Sequence, residues 1–220
     1  MDYIISFLQQ MGEQLRIPMT FVIIEFVGTL AFAISGIRLA SAKNFDWFGA
    51  YIVGMATAIG GGTIRDMMLG LSPFWMTNSI YLWCCALAMV CVAAMRRYLV
   101  RRRETLLFIF DTIGLALFNL IGIEKTLNMG FPIWCAIIMG CITGAGGGVI
   151  RDVFINEIPL IFRKEIYAMA CIIGGAFYVF GRYIDLTDEA NAALSCLIVI
   201  VIRCLAEKYH WHLPILKAED

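Results

Sequence analysis

Charged side chains are scarce in this chain. They make up 15% of its 220 residues, while apolar residues reach 61% and mean hydropathy is +0.82. A soluble globular chain carries about 25% charged and roughly 45–50% apolar residues, so an ordinary soluble domain is excluded. The 17 basic and 17 acidic residues cancel, which leaves no nucleic-acid footprint. No C-x-x-C pair occurs. Cys84, Cys85, Cys91, Cys135, Cys141, Cys171, Cys196 and Cys204 all fall inside apolar blocks and read as small hydrophobes, neither a disulfide framework nor a metal centre. Histidine is limited to His210 and His212, which flank Trp211 and read as an interfacial anchor. There is no nucleophile–base constellation, no metal-ligand spacing and no nucleotide loop, so neither an enzyme nor a cofactor is expected.

What the chain does have is long apolar runs. They come in blocks of about 20 residues, the length that crosses roughly 30 Å of hydrocarbon. Seven are readable, near 19–41, 47–69, 75–96, 105–123, 131–155, 166–184 and 189–206. The densest basic cluster, Arg96, Arg97, Arg101, Arg102 and Arg103, separates the third from the fourth. Cytoplasmic loops are rich in Lys and Arg, so this loop is expected inside, with the N-terminus outside and the C-terminus in the cytoplasm. Arg38, Lys43, Arg163, Lys164, Arg203, Lys208 and Lys217 then fall on the inner side, while Asp185, Asp188 and Glu189 lie outside. Residues 1–18 repeat Ile4, Leu8, Met11 and Leu15 at helical spacing, which predicts an interfacial amphipathic helix. Met1-Asp2 offers no basic n-region, so the first span is expected to be retained.

The chain also repeats itself. An ungapped offset of 86 aligns Gly28 with Gly114, Gly36 with Gly122, Gly54 with Gly140, Thr57 with Thr143 and Pro73 with Pro159. It lays Gly60-Gly61-Gly62-Thr63-Ile64-Arg65-Asp66 over Gly146-Gly147-Gly148-Val149-Ile150-Arg151-Asp152, and 16 of the 49 positions from 25 to 73 are identical. Each copy holds three spans. An odd number forces consecutive copies to cross the membrane in opposite senses, which is the inverted-repeat architecture. The expected fold is therefore an all-α polytopic membrane protein with seven transmembrane helices. The first repeat covers 19–98, the second 105–184 and the seventh helix 189–208, followed by a cytoplasmic tail, 209–220.

Three consecutive glycines in a membrane helix predict a break whose freed carbonyls could coordinate a cation. The competing reading is close helix packing, since Gly140, Gly144 and Gly148 form a small-xxx-small face, as do Gly54, Ala58 and Gly62. Gly60 lies 13 residues past Trp47, about 20 Å along its helix at 1.5 Å per residue. The inverted copies then place the two triplets near opposite faces. Glu25 and Asp111 also correspond, each at the level of its own repeat's arginine. Two charge clusters follow: Glu25 with Arg65 and Asp66 outside, and Asp111 with Arg151 and Asp152 inside. Intramembrane ionisable residues face the protein interior or water. The alternative is that both arginines snorkel to headgroups.

Gly60 to Gly70, followed by Pro73-Phe74-Trp75, resembles the signature of the bacterial trimeric intracellular cation (TRIC) channel family, whose members also carry the glycine transporter domain description. Gly146 to Asp152 and Asp111-x-x-Gly114 fit the same pattern. The resemblance implies seven spans, a homotrimer in the bacterial inner membrane, and one pore per subunit kinked at the glycine triplets. It also implies conduction of K⁺ with some Na⁺, the permeant ion being the sole cofactor-like species. On that reading the triplet carbonyls, the Thr57 and Thr143 hydroxyls and the acidic residues replace ion hydration, while the arginines restrict the path. A secondary carrier for glycine or another small neutral amino acid would use the same architecture. Asn156-Glu157 replaces Gly70-Leu71 after the second motif, so the two gates are expected to differ there.

Overall fold

The computed structural model describes residues 19–94, 103–163 and 166–211. The predicted interfacial helix over 1–18, Arg96, Arg97, Arg101, Arg102 and Lys164 of the basic segments, and the tail from 212 lie outside the described residues. Among the described residues the secondary structure is helical: α1 Met19–Ala42, α2 Trp47–Met68, α3 Phe74–Thr77, α4 Ile80–Ala94, α5 Arg103–Asn128, α6 Ile133–Phe154, α7 Leu160–Arg163, α8 Ile166–Tyr183 and α9 Asp188–Tyr209.

The offset of 86 governs the elements as well as the letters. α2, α3 and α4 start at 47, 74 and 80, and α6, α7 and α8 start at 133, 160 and 166. Where the letters differ, the backbone still repeats. Asn44 (φ 62°) matches Gly130 (φ 81°), and Gly70 (φ 71°) matches Asn156 (φ 57°). Asn and Gly are the residues that enter the left-handed region most readily. The expected difference at Gly70/Asn156 is thus absent from the backbone: both repeats turn the same way after the motif helix.

Local sequence sets the helix ends. Asp46 caps α2, its carboxylate accepting from the Gly49 amide at 2.6 Å, and Thr187 does the same for α9 through the Ala190 amide. Pro132 stands at the corresponding end of α6; a proline just before the first turn removes an amide that would otherwise lack a partner.

Among the described residues, six helices are long and apolar enough to cross a membrane: Thr20–Ala42 within α1, α2, Thr105–Asn128 within α5, α6, α8 and α9. The seventh expected span, the third in order, appears as α4. Its 15 residues reach about 22 Å, short of a roughly 30 Å hydrocarbon core, and the residues that follow it are outside the described set. α1, α2, α5 and α6 form the centre, with α1 on α2, α5 on α6, α2 on α6 and α1 on α5. α4 packs on α1 and α2, α8 packs correspondingly on α5 and α6, and α9 lies against α8 and α5 outside the repeat. Large apolar side chains point outward all round, among them Phe48, Trp83 and Trp134, each at least 67% exposed. Such a surface suits hydrocarbon and not water.

Candidate functional site

The expected helix break is not present. α2 and α6 run as uninterrupted α-helices through Gly60–Gly62 and Gly146–Gly148. The triplets instead permit a backbone-to-backbone crossing. A Cβ on Gly61 would collide with the Thr143 carbonyl oxygen, and one on Gly147 with the Thr57 carbonyl oxygen. The flanking glycines meet side chains: Gly60 faces Ile150, Gly62 faces the Phe74 ring, and Gly148 faces the Tyr167 hydroxyl. Gly146 touches the Gly61 Cα and, more loosely, Ile64. The two central glycines therefore make the α2–α6 crossing, and a pseudo-two-fold relates them.

Thr57 and Thr143 sit in that crossing through their carbonyls. Their hydroxyls point elsewhere: each donates to its i−4 carbonyl, Val53 and Met139, at 2.6 Å, and both side chains are fully buried. They pack on Gly36 of α1 and Gly122 of α5. In this conformation each hydroxyl spends its proton inside its own helix, which leaves the oxygen lone pairs as its remaining polar capacity.

The structure brings the six predicted charged residues together in two groups. In the first, Arg65 Nε donates to Asp66 at 2.8 Å, and Arg65 Nη2 lies 3.7 Å from the Glu25 carboxylate. In the second, Arg151 Nε donates to Asp152 at 2.8 Å and Arg151 Nη1 to Asp111 at 2.6 Å. Both arginines are fully buried inside the protein, so they do not snorkel outward. The second carboxylate oxygen of Asp66 accepts the Phe74 amide, and that of Asp152 accepts the Leu160 amide. Each aspartate thus pins the short helix that follows its own motif helix.

Each group gains a further cation from outside its repeat. Lys125 of α5 donates to Asp66 at 2.9 Å, and Arg203 of α9 reaches Asp111 at 3.2 Å. Both groups then hold two acids and two bases, formally neutral. Neutrality matters because an uncompensated buried charge costs several kcal/mol. Arg203 also lies over the Tyr167 ring at 4.5 Å and the Phe108 ring at 5.0 Å. α1 supplies Glu25 to one group and Ser35 to the other, about 15 Å apart along one helix, so the groups occupy opposite ends of the bundle.

The groups are not equivalent. Arg151 Nη1 has a second acceptor, the Ser35 hydroxyl, at 2.8 Å. The residue matching Ser35 under the offset is Ile121, which cannot accept a hydrogen bond. Arg65 Nη1 and Nη2 accordingly make no hydrogen bond among the described residues. Beside the first group opens a cavity of about 220 Å³ whose lining includes Glu25, Tyr81, Ile121, Glu124 and Lys125. Tyr81 donates to Glu25 at 2.7 Å; Glu124 accepts from Tyr178 at 2.5 Å and from Arg182 at 3.2 Å.

Sequence reasoning missed Lys125, Glu124, Ser35, Tyr81 and Tyr167, and it placed Arg203 only as an inner-side charge. Two signals were available. Tyr81 and Tyr167 correspond under the offset of 86, and Glu124 and Lys125 directly follow an apolar block. Ser35 carried no signal, because its meaning lies in the contrast with Ile121.

The glycine transporter family model matches twice, at residues 22–97 and 108–183, which is the duplication seen in the fold. A UPF0126 membrane protein of Vibrio cholerae is 42% identical, covering 87% of this chain and 81% of the relative. The UPF0126 inner membrane protein YadS of Escherichia coli is 40% identical, with 87% and 93% covered. Among solved structures, the TRIC trimeric intracellular cation channel orthologue from Rhodobacter sphaeroides superimposes with a TM-score of 0.83 at 30% identity, over 88% of this chain and all (100%) of that one. A structure described for conductance through TRIC cation channels gives 0.80 at 34% identity, over 91% and 98%. A twice-matched family model, relatives similar over most of their length and a shared backbone agree: the chain belongs to the glycine transporter (UPF0126) family of bacterial membrane proteins and has the TRIC channel fold.

Proposed function

We propose that this protein is a monovalent cation channel, conducting K⁺ and some Na⁺ along a path through each subunit. One observation carries the reading: two neutralised four-charge groups stand at opposite ends of the bundle, with the α2–α6 glycine crossing between them. Paired charges at such depth are costly and mark ion pathways and relays. The 220 Å³ cavity at the first group places the Glu25 and Glu124 carboxylates in a common vestibule, a lining suited to a partly dehydrated monovalent ion. The likeness to solved TRIC cation channels supports the same assignment.

On this reading the first group is the end that opens. Arg65 is held by one hydrogen-bonded acceptor and a longer ion pair, whereas Arg151 is latched by Asp111, Asp152 and Ser35. We read the described conformation as closed, on the close approach of the Gly61 and Gly147 backbones to the facing Thr143 and Thr57 carbonyls. Opening requires α2 and α6 to part or bend there, and the glycine triplets supply that freedom. With α4 counted as the third span, the reading is a seven-span, homotrimeric protein of the bacterial inner membrane, with its N-terminus outside and its C-terminus in the cytoplasm.

Reconstitution into planar bilayers tests the assignment. Unitary K⁺ currents in the absence of amino acid are expected. Saturable glycine counterflow without unitary current would instead make the protein a carrier.

A further inference from the structure

The eight cysteines have so far served only as small apolar residues, yet two of them face each other across a helix interface. Cys141 lies on α6 and Cys171 on α8. Three contacts fix how these helices meet. The Cys141 thiol donates to the Ala168 carbonyl at 3.9 Å. A Cβ on Gly175 would lie 3.5 Å from Ile137 Cγ2, and Gly148 stands against the Tyr167 hydroxyl. The register is therefore antiparallel. Stepping one turn from Ile137 to Cys141 along α6 corresponds to stepping back one turn from Gly175 to Cys171 along α8. That register brings the two thiols to the same level of the α6–α8 interface, with Cys141 against the backbone one turn before Cys171. Gly175 keeps the helices close, as side chains on both would not. Cys171 is fully buried, Cys141 is partly exposed, and both are free thiols.

Depth decides which reagent can reach them. Cys141 is eight residues into α6, about 12 Å from its start. Ionic oxidants are excluded there, whereas an uncharged hydroperoxide, such as one formed on an acyl chain, dissolves in that layer.

We propose that Cys141 and Cys171 form an oxidisable dithiol that a hydroperoxide converts to an intramolecular disulfide, stapling α8 to α6. The sulfur of Cys141, the more accessible of the pair, attacks the terminal peroxide oxygen. The O–O bond breaks, the other oxygen leaves as an alcohol with the thiol proton, and Cys141 becomes a sulfenic acid. Cys171 sulfur then displaces the sulfenic oxygen; its own proton and the sulfenic hydroxyl depart together as water, and the S–S bond forms. Two sulfurs are each oxidised by one electron overall, and one hydroperoxide is reduced to an alcohol and water. The staple anchors the helix that carries Gly146–Gly148 and Arg151.

The full chain, reduced and reconstituted in liposomes, would be treated with cumene hydroperoxide at a concentration that oxidises the exposed Cys204. Remaining thiols would be blocked with N-ethylmaleimide in denaturant, and the digest read by mass spectrometry without reductant. The expected result is a single linked peptide pair joining Cys141 to Cys171, lighter by two hydrogens and separated by dithiothreitol. In Cys171→Ser the same treatment should leave a dimedone-reactive sulfenic acid at Cys141. Recovery of both cysteines as maleimide adducts, or of Cys141 joined to any other cysteine, would overturn the proposal.

Discussion

Replacing Gly61 by alanine separates a close-crossing role for the triplets from a purely flexible one. The added Cβ would run into the Thr143 carbonyl oxygen, which belongs to a helix backbone and cannot rotate aside. Forcing a methyl into such a contact costs about 1–3 kcal/mol. Alanine returns roughly 1 kcal/mol in helix propensity over glycine, so a net loss of up to about 2 kcal/mol is expected. Gly147→Ala, facing the Thr57 carbonyl, should behave alike. Gly60→Ala is the internal control. Its Cβ meets the Ile150 side chain, closely only at Cδ1, 2.5 Å away, and that terminal methyl can turn away for about 1 kcal/mol, which the propensity gain offsets. Thermal unfolding in detergent, followed by tryptophan fluorescence, should rank Gly61→Ala and Gly147→Ala below both the parent and Gly60→Ala. If all three variants shift alike, or if Gly61→Ala is the more stable protein, the crossing argument is refuted.

Three further outcomes follow from the charge groups. Lys125→Met leaves Asp66 with Arg65 alone and should cost about 3–5 kcal/mol; Lys125→Met with Asp66→Asn should cost less than the sum of the single changes in the same unfolding assay. Ile121→Ser supplies Arg65 with the acceptor that Ser35 gives Arg151. It should stabilise the closed state by about 1 kcal/mol, read as a lower open probability in planar bilayers, while Ser35→Ile should act oppositely. Arg203→Met frees one oxygen of Asp111 and uncouples α9 from the second group, and it should raise hydrogen–deuterium exchange in the last turns of α9; unchanged exchange would show that α9 is held by packing alone.

Much of the architecture was legible in the chain. The offset of 86 and the apolar blocks that became the long helices follow from spacing alone, and spacing survives folding. The pairing of Glu25 with Arg65 and of Asp111 with Arg151 was legible for the same reason: a buried charge requires a partner, and few candidates stood at the right depth. What the glycines do was not legible. A break and a close crossing demand the same residue at the same position, and only the facing carbonyls of Thr57 and Thr143 distinguish them. The cations brought by Lys125 and Arg203 were also hidden, because each comes from a helix outside the repeat it serves. Ser35 against Ile121 is a difference of one side chain, with no weight until the arginine it faces is known.

The most direct test of the central claim is single-channel recording of the purified protein in a planar bilayer with K⁺ as the permeant cation and no amino acid present. The channel reading requires unitary K⁺ currents, with smaller unitary conductance when Glu25 and Glu124 are both changed to glutamine. A silent bilayer from a preparation that catalyses saturable glycine exchange in liposomes would contradict it.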